Sequence, residues 1–262
     1  MVSVKASGLG PSVGANGETP SGILFDRVTK TFKDGTVAVE EFSTAVAPGE
    51  FVAIVGPSGC GKSTLLRIAS GLTAATSGSV RADQDSLGYV FQDPTLLPWR
   101  TTLRNIELFA ELHDLPKEER RRRAADAIVL TGLEGFETHR PRALSGGMRM
   151  RVSLARSLAL QPNVFLFDEP FGALDEITRE RLNGELLRIF EQQRFAGLLV
   201  THSVSEAVYL SDRVLVMSPR PGRVVAEVAV PLERPRRDSL RFDPEFVRLT
   251  RTVSDALRQE YQ

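Results

Sequence analysis

The chain contains the stretch Gly56-Pro57-Ser58-Gly59-Cys60-Gly61-Lys62-Ser63-Thr64, which fits the pattern G-x-x-x-x-G-K-[ST] of a phosphate-binding loop. It follows the apolar run Phe51-Val52-Ala53-Ile54-Val55 and precedes Leu65-Leu66-Arg67-Ile68-Ala69, which is typical of a helix. Glycines let the backbone curl so that successive N–H groups point at an anion, and the helix N-terminus adds partial positive charge. The sequence therefore predicts a nucleotide site in which Lys62 reaches the β and γ phosphates and Ser63 holds Mg²⁺.

Composition limits the class of protein. Hydrophobic residues make up 42% of the 262 residues, which suits one large domain or one domain with a smaller insert. Lys plus Arg and Asp plus Glu both number 33, so no net charge favours nucleic acid, and we expect no nucleic-acid partner. No apolar run approaches the ~20 residues that span a bilayer, and the first residues lack the apolar core of a signal peptide, so a cytoplasmic location is expected. Cys60 is the only cysteine, which excludes an internal disulfide and a cysteine metal cluster.

Apolar patterning predicts an α/β fold. Residues 1–22 are rich in Gly, Ser and Pro and are expected to be a flexible leader, and short strands begin after them. The uniformly apolar runs 87–91, 164–167, 197–200 and 214–217 predict buried parallel strands. Residues from 101 to about 156 show helix signals and no clear strand, which predicts a helical insert. Residues 223–230 resemble an edge strand, and the apolar spacing from 246 to 257 predicts a final helix.

Two further motifs carry chemistry. Asp168 and Glu169 follow a predicted buried strand, where ligands of open α/β sheets bind. Asp168 would hold the hydration shell of Mg²⁺, and Glu169 would orient or deprotonate an attacking water, although an acidic cap of the strand is the alternative. Leu144-Ser145-Gly146-Gly147-Met148 precedes a predicted helix at 149–160, so Ser145 and the amides of the two glycines can form a second anion cradle. By itself such a turn could equally be an ordinary helix start.

Together these motifs resemble the ATP-binding cassette family over residues 23 to 222. Within it, residues 144–148 match the signature motif, Gly172-Ala173-Leu174-Asp175 the D-loop, Gln92 the Q-loop, His202 the switch histidine, and Phe32 the aromatic position that stacks on adenine. The resemblance implies a P-loop NTPase core with a mostly parallel sheet, an N-terminal antiparallel β-subdomain and a helical insert. It also implies a head-to-tail dimer of two copies, in which each ATP lies between the phosphate loop of one and Ser145, Gly146, Gly147 and Asp175 of the other. Gln92 would contact Mg²⁺ and the attacking water. The expected domain bounds are 23–230 for the ATPase domain, with the insert at about 101–156, and 231–262 for a C-terminal helical appendage.

Several positions depart from the family pattern or remain open. Met148 replaces the usual Gln of the signature, Phe32 the commoner Tyr, and Gly172 a frequent Ser. In the family His202 contacts the γ phosphate and holds Glu169, whereas its position alone would equally suit a core histidine closing a strand. Cys60 lies near a helix N-terminus and Lys62, a setting that lowers a thiol pKa, so we expect maleimide to block hydrolysis; the alternative is a small filler residue.

The segment Leu96-Leu97-Pro98-Trp99 bears on the type of cassette. Leu97 and Trp99 either pack beneath their loop or line a groove that receives a helix from a permease. With residues 171–175 and 217–223, the segment resembles the nitrate, sulfonate and taurine importer group, whose relatives also serve thiamine-precursor pyrimidines and riboflavin. This implies the ATPase of a bacterial importer, peripheral on the cytoplasmic face of the inner membrane, beneath permease subunits fed by an extracytoplasmic solute-binding protein. A lipid-trafficking cassette and a non-transport cassette acting on DNA or ribosomes remain as alternatives.

Overall fold

The computed structural model describes residues 22–260, so the leader predicted for residues 1–22 lies outside the described residues except for Gly22. Within this part of the chain, two sheets and the helices packed on them form the fold. In chain order the strands and α-helices are β1 Ile23–Thr31, β2 Val37–Val46, β3 Phe51–Val55, α1 Lys62–Ala69, β4 Ser77–Ala82, β5 Leu87–Val90, α2 Thr102–Ile106, α3 Leu108–Leu112, α4 Lys117–Leu130, α5 Gly146–Leu158, β6 Val164–Asp168, α6 Glu176–Gln193, β7 Ala196–Thr201, α7 Val204–Leu210, β8 Arg213–Met217, β9 Val224–Ala229 and α8 Pro244–Gln259.

The smaller sheet has the order β2-β1-β4, and both of its pairings are antiparallel. Its apolar face is buried around Phe25 and Phe42, whose rings meet edge to face with centroids 5.2 Å apart. Aromatic pairs prefer this arrangement because the positive ring edge meets the negative ring face. Strand β1 ends at Thr31, so Phe32 directly follows the strand.

The larger sheet has the order β5-β6-β7-β3-β8-β9. The first five strands are parallel, and β9 pairs antiparallel to β8 at the edge. All five residues of β3 are buried, as expected for a parallel strand covered on both faces. Phe51 stacks on Phe167 and meets Phe190 edge to face, with centroids 5.7 and 5.1 Å apart. The predicted fold class, a mostly parallel sheet with an N-terminal antiparallel sheet, is confirmed.

Helices α2 to α5 lie between β5 and β6, and the described residues contain no strand between Val90 and Val164. The sequence predicted the fourth of these helices at 149–160, but α5 begins at Gly146 and ends at Leu158. The earlier start follows from Ser145, whose Oγ accepts a hydrogen bond from the Met148 N–H at 3.2 Å and caps the helix. The signature glycines therefore form the first turn of a helix.

The C-terminal segment packs tightly on the larger sheet. Phe246, Leu249 and Val253 form the buried face of α8, which lies on α7, β8 and β9. Arg236 is buried and donates hydrogen bonds to the carbonyl oxygens of Tyr209 and Ser211, both at 2.9 Å, at the C-terminal end of α7. Among the described residues, no helix combines the length and apolar character needed to cross a bilayer.

Replacing Leu249 with Ala should destabilise the fold by about 2–5 kcal/mol, because the truncation leaves a cavity beneath α8. The matched control is Val247→Ala on the same helix, where the side chain is 54% exposed, and its effect should stay within about 0.5 kcal/mol. Urea unfolding followed by circular dichroism measures both. Equal stabilities of the two variants would contradict the packing of α8.

Candidate active site

The phosphate loop connects the C-terminal end of β3 to α1. Lys62 is buried, and its Nζ donates to the carbonyl oxygens of Gly56 and Pro57 at 2.8 and 2.9 Å, which folds the side chain back across the loop. Gly61 has φ +102, and a Cβ there would lie 2.5 Å from Val39 Cγ2, so only glycine fits. Residues 56–61 thus form a turn that leads directly into the first residues of α1, and a turn at a helix N-terminus is the geometry that binds phosphate.

A hydroxyl and a carboxylate meet beside this loop. Ser63 Oγ donates to Asp168 Oδ1 at 2.7 Å, so two of the three residues predicted to hold Mg²⁺ are brought together. Mg²⁺ is commonly held by one or two protein oxygens together with substrate phosphates and waters, and this donor pair fits that chemistry. The described residues contain no group of three or more His, Cys, Asp or Glu that could hold a metal alone. Gln92 lies just beyond β5, with its side chain exposed to solvent.

Tyr89 is a member of this site that sequence reasoning missed. Its hydroxyl donates to Asp168 Oδ2 at 3.3 Å, and its ring stacks on Phe91 with centroids 4.0 Å apart. Burial, reinforced by the negative charge of Asp168, raises the pKa of the Tyr89 hydroxyl well above its usual value. The phenol therefore stays protonated and remains a donor to the carboxylate. A lone polar group within the buried run 87–91 is the only sequence signal that could have indicated it.

Glu169 and His202 form a pair at the ends of adjacent parallel strands, β6 and β7. His202 Nδ1 lies 3.0 Å from Glu169 Oε2. The His202 side chain is 52% exposed, so the alternative of a core histidine is wrong. Glu169 has φ +45, a left-handed conformation, while its N–H donates to Val200 O at 2.9 Å. A Cβ at Gly172 would lie 3.4 Å from His202 Cε1, which is ordinary van der Waals contact, so Gly172 lies directly beside this pair.

The signature and D-loop residues lie side by side at two helix N-termini. Ser145 caps α5, and Asp175 Oδ1 accepts from the Thr178 N–H at 3.0 Å to cap α6. The Thr178 backbone and hydroxyl hydrogen bonds lower the pKa of Asp175. A Cβ on Gly146 would lie 3.4 Å from Leu174 Cδ2, so the two motifs are in contact. Within residues 22–260, no hydrogen bond joins either motif to the phosphate loop.

Phe32 follows β1 and is 44% exposed, so its ring presents an accessible face. The ammonium group of Lys30 lies 5.5 Å from the ring centroid, within the range of a cation–π contact. Stacking of this ring on adenine stays a prediction.

The segment after Gln92 is held from two sides. Asn105 is buried, and its Oδ1 accepts from the Leu97 N–H at 2.8 Å. Arg156, also buried, donates to Pro94 O and Thr95 O, both at 3.0 Å. Trp99 is nevertheless 69% exposed, so it does not pack beneath the loop.

Arg156 connects this segment to the helix that begins at the signature motif. Its guanidinium lies 4.6 Å from the centroid of the Phe109 ring, and burial lowers its pKa to about 10, which leaves it charged at neutral pH. No sequence pattern indicates this role, because the contacts of Arg156 are with carbonyl oxygens about sixty residues away in the chain. Arg156 therefore links α5, the helix that begins at the signature motif, to the loop that follows Gln92.

The expectation of a reactive Cys60 is wrong. Cys60 is buried, and burial raises the pKa of its thiol, with the nearby positive charge of Lys62 only partly opposing the shift. Its Sγ lies 3.9 Å from Lys62 Nζ. Removal of the thiol from water therefore outweighs the local positive charge. Cys60 fills space behind the loop, which is the alternative left open by the sequence.

Comparisons with known proteins agree with this geometry. Residues 39–172 match the model of the ABC transporter family. The chain is 41% identical over 251 residues to the nitrate import ATP-binding protein NrtD of Synechococcus elongatus, covering 90% of this chain and 92% of NrtD. It is 42% identical over 243 residues to the aliphatic sulfonates import ATP-binding protein SsuB 1 of Pseudomonas savastanoi pv. phaseolicola, covering 92% and 99%.

A solved structure shows the same fold. The dimeric post-hydrolysis state of the ATP-binding cassette MJ0796, bound to ADP and Pi, superimposes with a TM-score of 0.71 at 34% identity, covering 80% of this chain and 100% of that one. The chain belongs to the ABC transporter family, as an ATP-binding and ATP-hydrolysing cassette. The predicted family and enzyme class are confirmed.

Maleimide should label native Cys60 at pH 7 at least about tenfold more slowly than it labels the urea-unfolded chain, because burial hides the thiol and reduces the thiolate fraction. Intact-mass spectrometry over time measures both rates, and the absence of any other cysteine makes the signal unambiguous. Equal rates would contradict the buried position.

Proposed function

We propose that this chain is the ATP-hydrolysing subunit of a bacterial ABC importer, working as a head-to-tail homodimer beneath separate permease subunits at the cytoplasmic face of the inner membrane. The observation that carries the proposal is Trp99, a large apolar side chain exposed on a segment held by Asn105 and Arg156. A fixed, exposed aromatic is suited to receive a helix of a partner. The names of the nitrate and sulfonate relatives, both import ATP-binding proteins, support this assignment.

In the proposed site the residues of one copy bind ATP and prepare the attacking water. Phe32 stacks on adenine, the amides of residues 59–64 and Lys62 bind the phosphates, and Ser63, Asp168 and Gln92 hold Mg²⁺. The cation, when bound, neutralises charge on the phosphates. Glu169 orients or deprotonates the water, and His202 holds Glu169 in place, as their 3.0 Å contact allows.

A second copy completes the site in this proposal. Ser145 of that copy and the amides of Gly146 and Gly147, in the first turn of α5, bind the γ phosphate, and Asp175 lies at the interface between the two copies. Closure on ATP and opening after hydrolysis would drive the permease between its two faces. We assign residues 23–230 to the ATPase domain, with a helical insert at about 101–156, and residues 231–262 to a helical appendage.

The proposed solute is an oxyanion or sulfonate, since NrtD and SsuB 1 carry nitrate and aliphatic sulfonates in their names. Pyrimidine precursors are the second class to test.

The tagged chain should co-purify from detergent-solubilised membranes with a polytopic permease. Recovery of ribosomes or DNA instead would overturn the transport assignment, and a permease without a solute-binding protein would favour lipid trafficking. Thermal shift of the associated binding protein with nitrate, taurine, alkanesulfonates and pyrimidines identifies the solute.

Glu169→Gln should bind ATP, run as a dimer on size exclusion with ATP and Mg²⁺, and lose about 100-fold or more in turnover, because the amide cannot accept the proton of water. His202→Ala should likewise keep ATP binding and lose most turnover. The control is Glu118→Gln, an exposed acid on α4, with wild-type turnover expected. Only monomers for Glu169→Gln, or wild-type turnover for either site variant, would contradict the proposed roles.

Trp99→Ala should lose the permease in the membrane pull-down, because the exposed indole supplies the apolar contact. Phe242→Ala is the matched control, since Phe242 is also a largely exposed ring but lies just before α8. Quantitative immunoblotting of the co-purified permease compares the two, with circular dichroism as a check of folding. Equal recovery by both variants would place the docking surface elsewhere.

A further inference from the structure

The turn between β8 and β9 is built as a rigid element. The Ser218 N–H donates to Arg223 O at 2.9 Å, and the Arg223 N–H donates back to Ser218 Oγ at 3.0 Å. Ser218 Oγ also donates to Pro221 O at 3.0 Å. Proline on either side of Arg220 fixes the backbone angle φ at two of the intervening positions. The backbone at Arg220 therefore has little freedom.

This turn lies between the antiparallel sheet and the phosphate loop. The Gly222 N–H donates to Ala38 O at 3.0 Å, and the Glu40 N–H donates to Gly222 O at 3.1 Å, so the turn is bonded to β2. On its other side, a Cβ at Gly222 would lie only 2.0 Å from Cys60 O, so the two backbones touch. The turn thus contacts both β2 and the phosphate loop.

Arg220 reaches from this turn to the phosphate loop itself. Its Nε and Nη2 both donate to Gly59 O, at 3.2 and 3.0 Å. Arg220 also contributes to the lowered pKa of Asp34, which is due mainly to hydrogen bonds from Thr36. The guanidinium therefore bonds to the phosphate loop and lies close enough to Asp34 to act on its charge. Among the described residues, no other side chain from outside the loop donates to a carbonyl of Gly56, Pro57 or Gly59.

The peptide unit that Arg220 holds joins Gly59 to Cys60 within the phosphate loop. In a planar trans peptide the carbonyl oxygen and the following N–H point in opposite directions. With Gly59 O turned outward to Arg220, the Cys60 N–H points inward, where it makes a long hydrogen bond of 3.3 Å to Pro57 O. Lys62 Nζ shares that same acceptor at 2.9 Å. The Cys60 N–H is thus placed beside the lysine that reaches the phosphates.

We propose that Arg220 is a positioning residue for nucleotide binding, which fixes the Gly59–Cys60 peptide so that the Cys60 N–H is preorganised to donate to a phosphate oxygen of ATP or ADP. Without this anchor the peptide unit, which is flanked by Gly59 at φ +77, can rotate. The Cys60 N–H then points away from the phosphate site for part of the time. In this role the guanidinium does not contact the nucleotide. It bonds to Gly59 O on the outer side of the phosphate loop and so holds the peptide in place.

The test is Arg220→Ala in the full chain, with displacement of a fluorescent ATP analogue to give the Kd of ATP and of ADP. Both should rise about tenfold, the scale of one lost charge-assisted hydrogen bond. KM for ATP should rise by the same factor while kcat at saturating ATP stays within about twofold, because the hydrolytic residues are untouched. The matched control is Arg223→Ala in the same turn, whose side chain pairs with Glu40, and its affinities should equal those of wild type.

Two conservative variants separate anchoring from charge. Arg220→Lys and Arg220→Gln each keep an N–H donor that can reach a carbonyl, and both should recover at least half of the lost affinity. Wild-type affinity of Arg220→Ala overturns the proposal, and so does recovery by Lys alone, which would indicate a long-range charge effect. Melting temperatures should be equal across the set, since Arg220 is exposed. If the melting temperature fell only for Arg220→Ala while its Kd stayed unchanged, Arg220 would have a structural role only, and the proposal would be overturned.

Discussion

The burial of β3 at the centre of the parallel sheet determines where every part of the site lies. All five of its residues are buried between β7 and β8, so the chain can leave the strand only at its C-terminal edge, where it turns through the phosphate loop into α1. Neighbouring parallel strands end at the same edge, which brings Asp168 from β6 and His202 from β7 to the loop. The Ser63–Asp168 hydrogen bond of 2.7 Å joins the start of α1 to the end of β6.

In the proposed dimer, two groups of residues in each chain serve one nucleotide only when two copies meet. The phosphate loop, Asp168 and the Glu169–His202 pair lie together at the sheet edge. Ser145 and Asp175 instead cap α5 and α6, and their motifs touch each other through Gly146 and Leu174. Helix N-termini concentrate unpaired N–H groups, which is why the start of α5 is the part that the proposal assigns to the phosphate of a second copy. This division is the physical basis of the proposed dimer.

Arginines bonded to backbone carbonyls hold the irregular segments in place. Arg156 fixes the loop that carries Gln92 and Trp99, Arg236 fixes the chain after β9, and Arg220 fixes the outer side of the phosphate loop. A guanidinium has five donors in a rigid plane, so one side chain can bind several carbonyls that have no strand or helix partner. Burial lowers the pKa of Arg156 and of Arg236 to about 10, and both remain charged at neutral pH.

The local pattern of the sequence determined the phosphate loop, the buried strands and the acid pair, because each depends on residues adjacent in the chain. It also located His202, although a half-exposed histidine beside Glu169 could be distinguished from a core histidine only in the fold. The tertiary structure alone decided the roles of Tyr89, Arg156 and Arg220, whose partners are distant in sequence and are often backbone atoms without any residue signature. It also reversed the interpretation of Cys60, since a thiol pKa depends on which atoms cover the group, and neighbours in the sequence do not specify that cover.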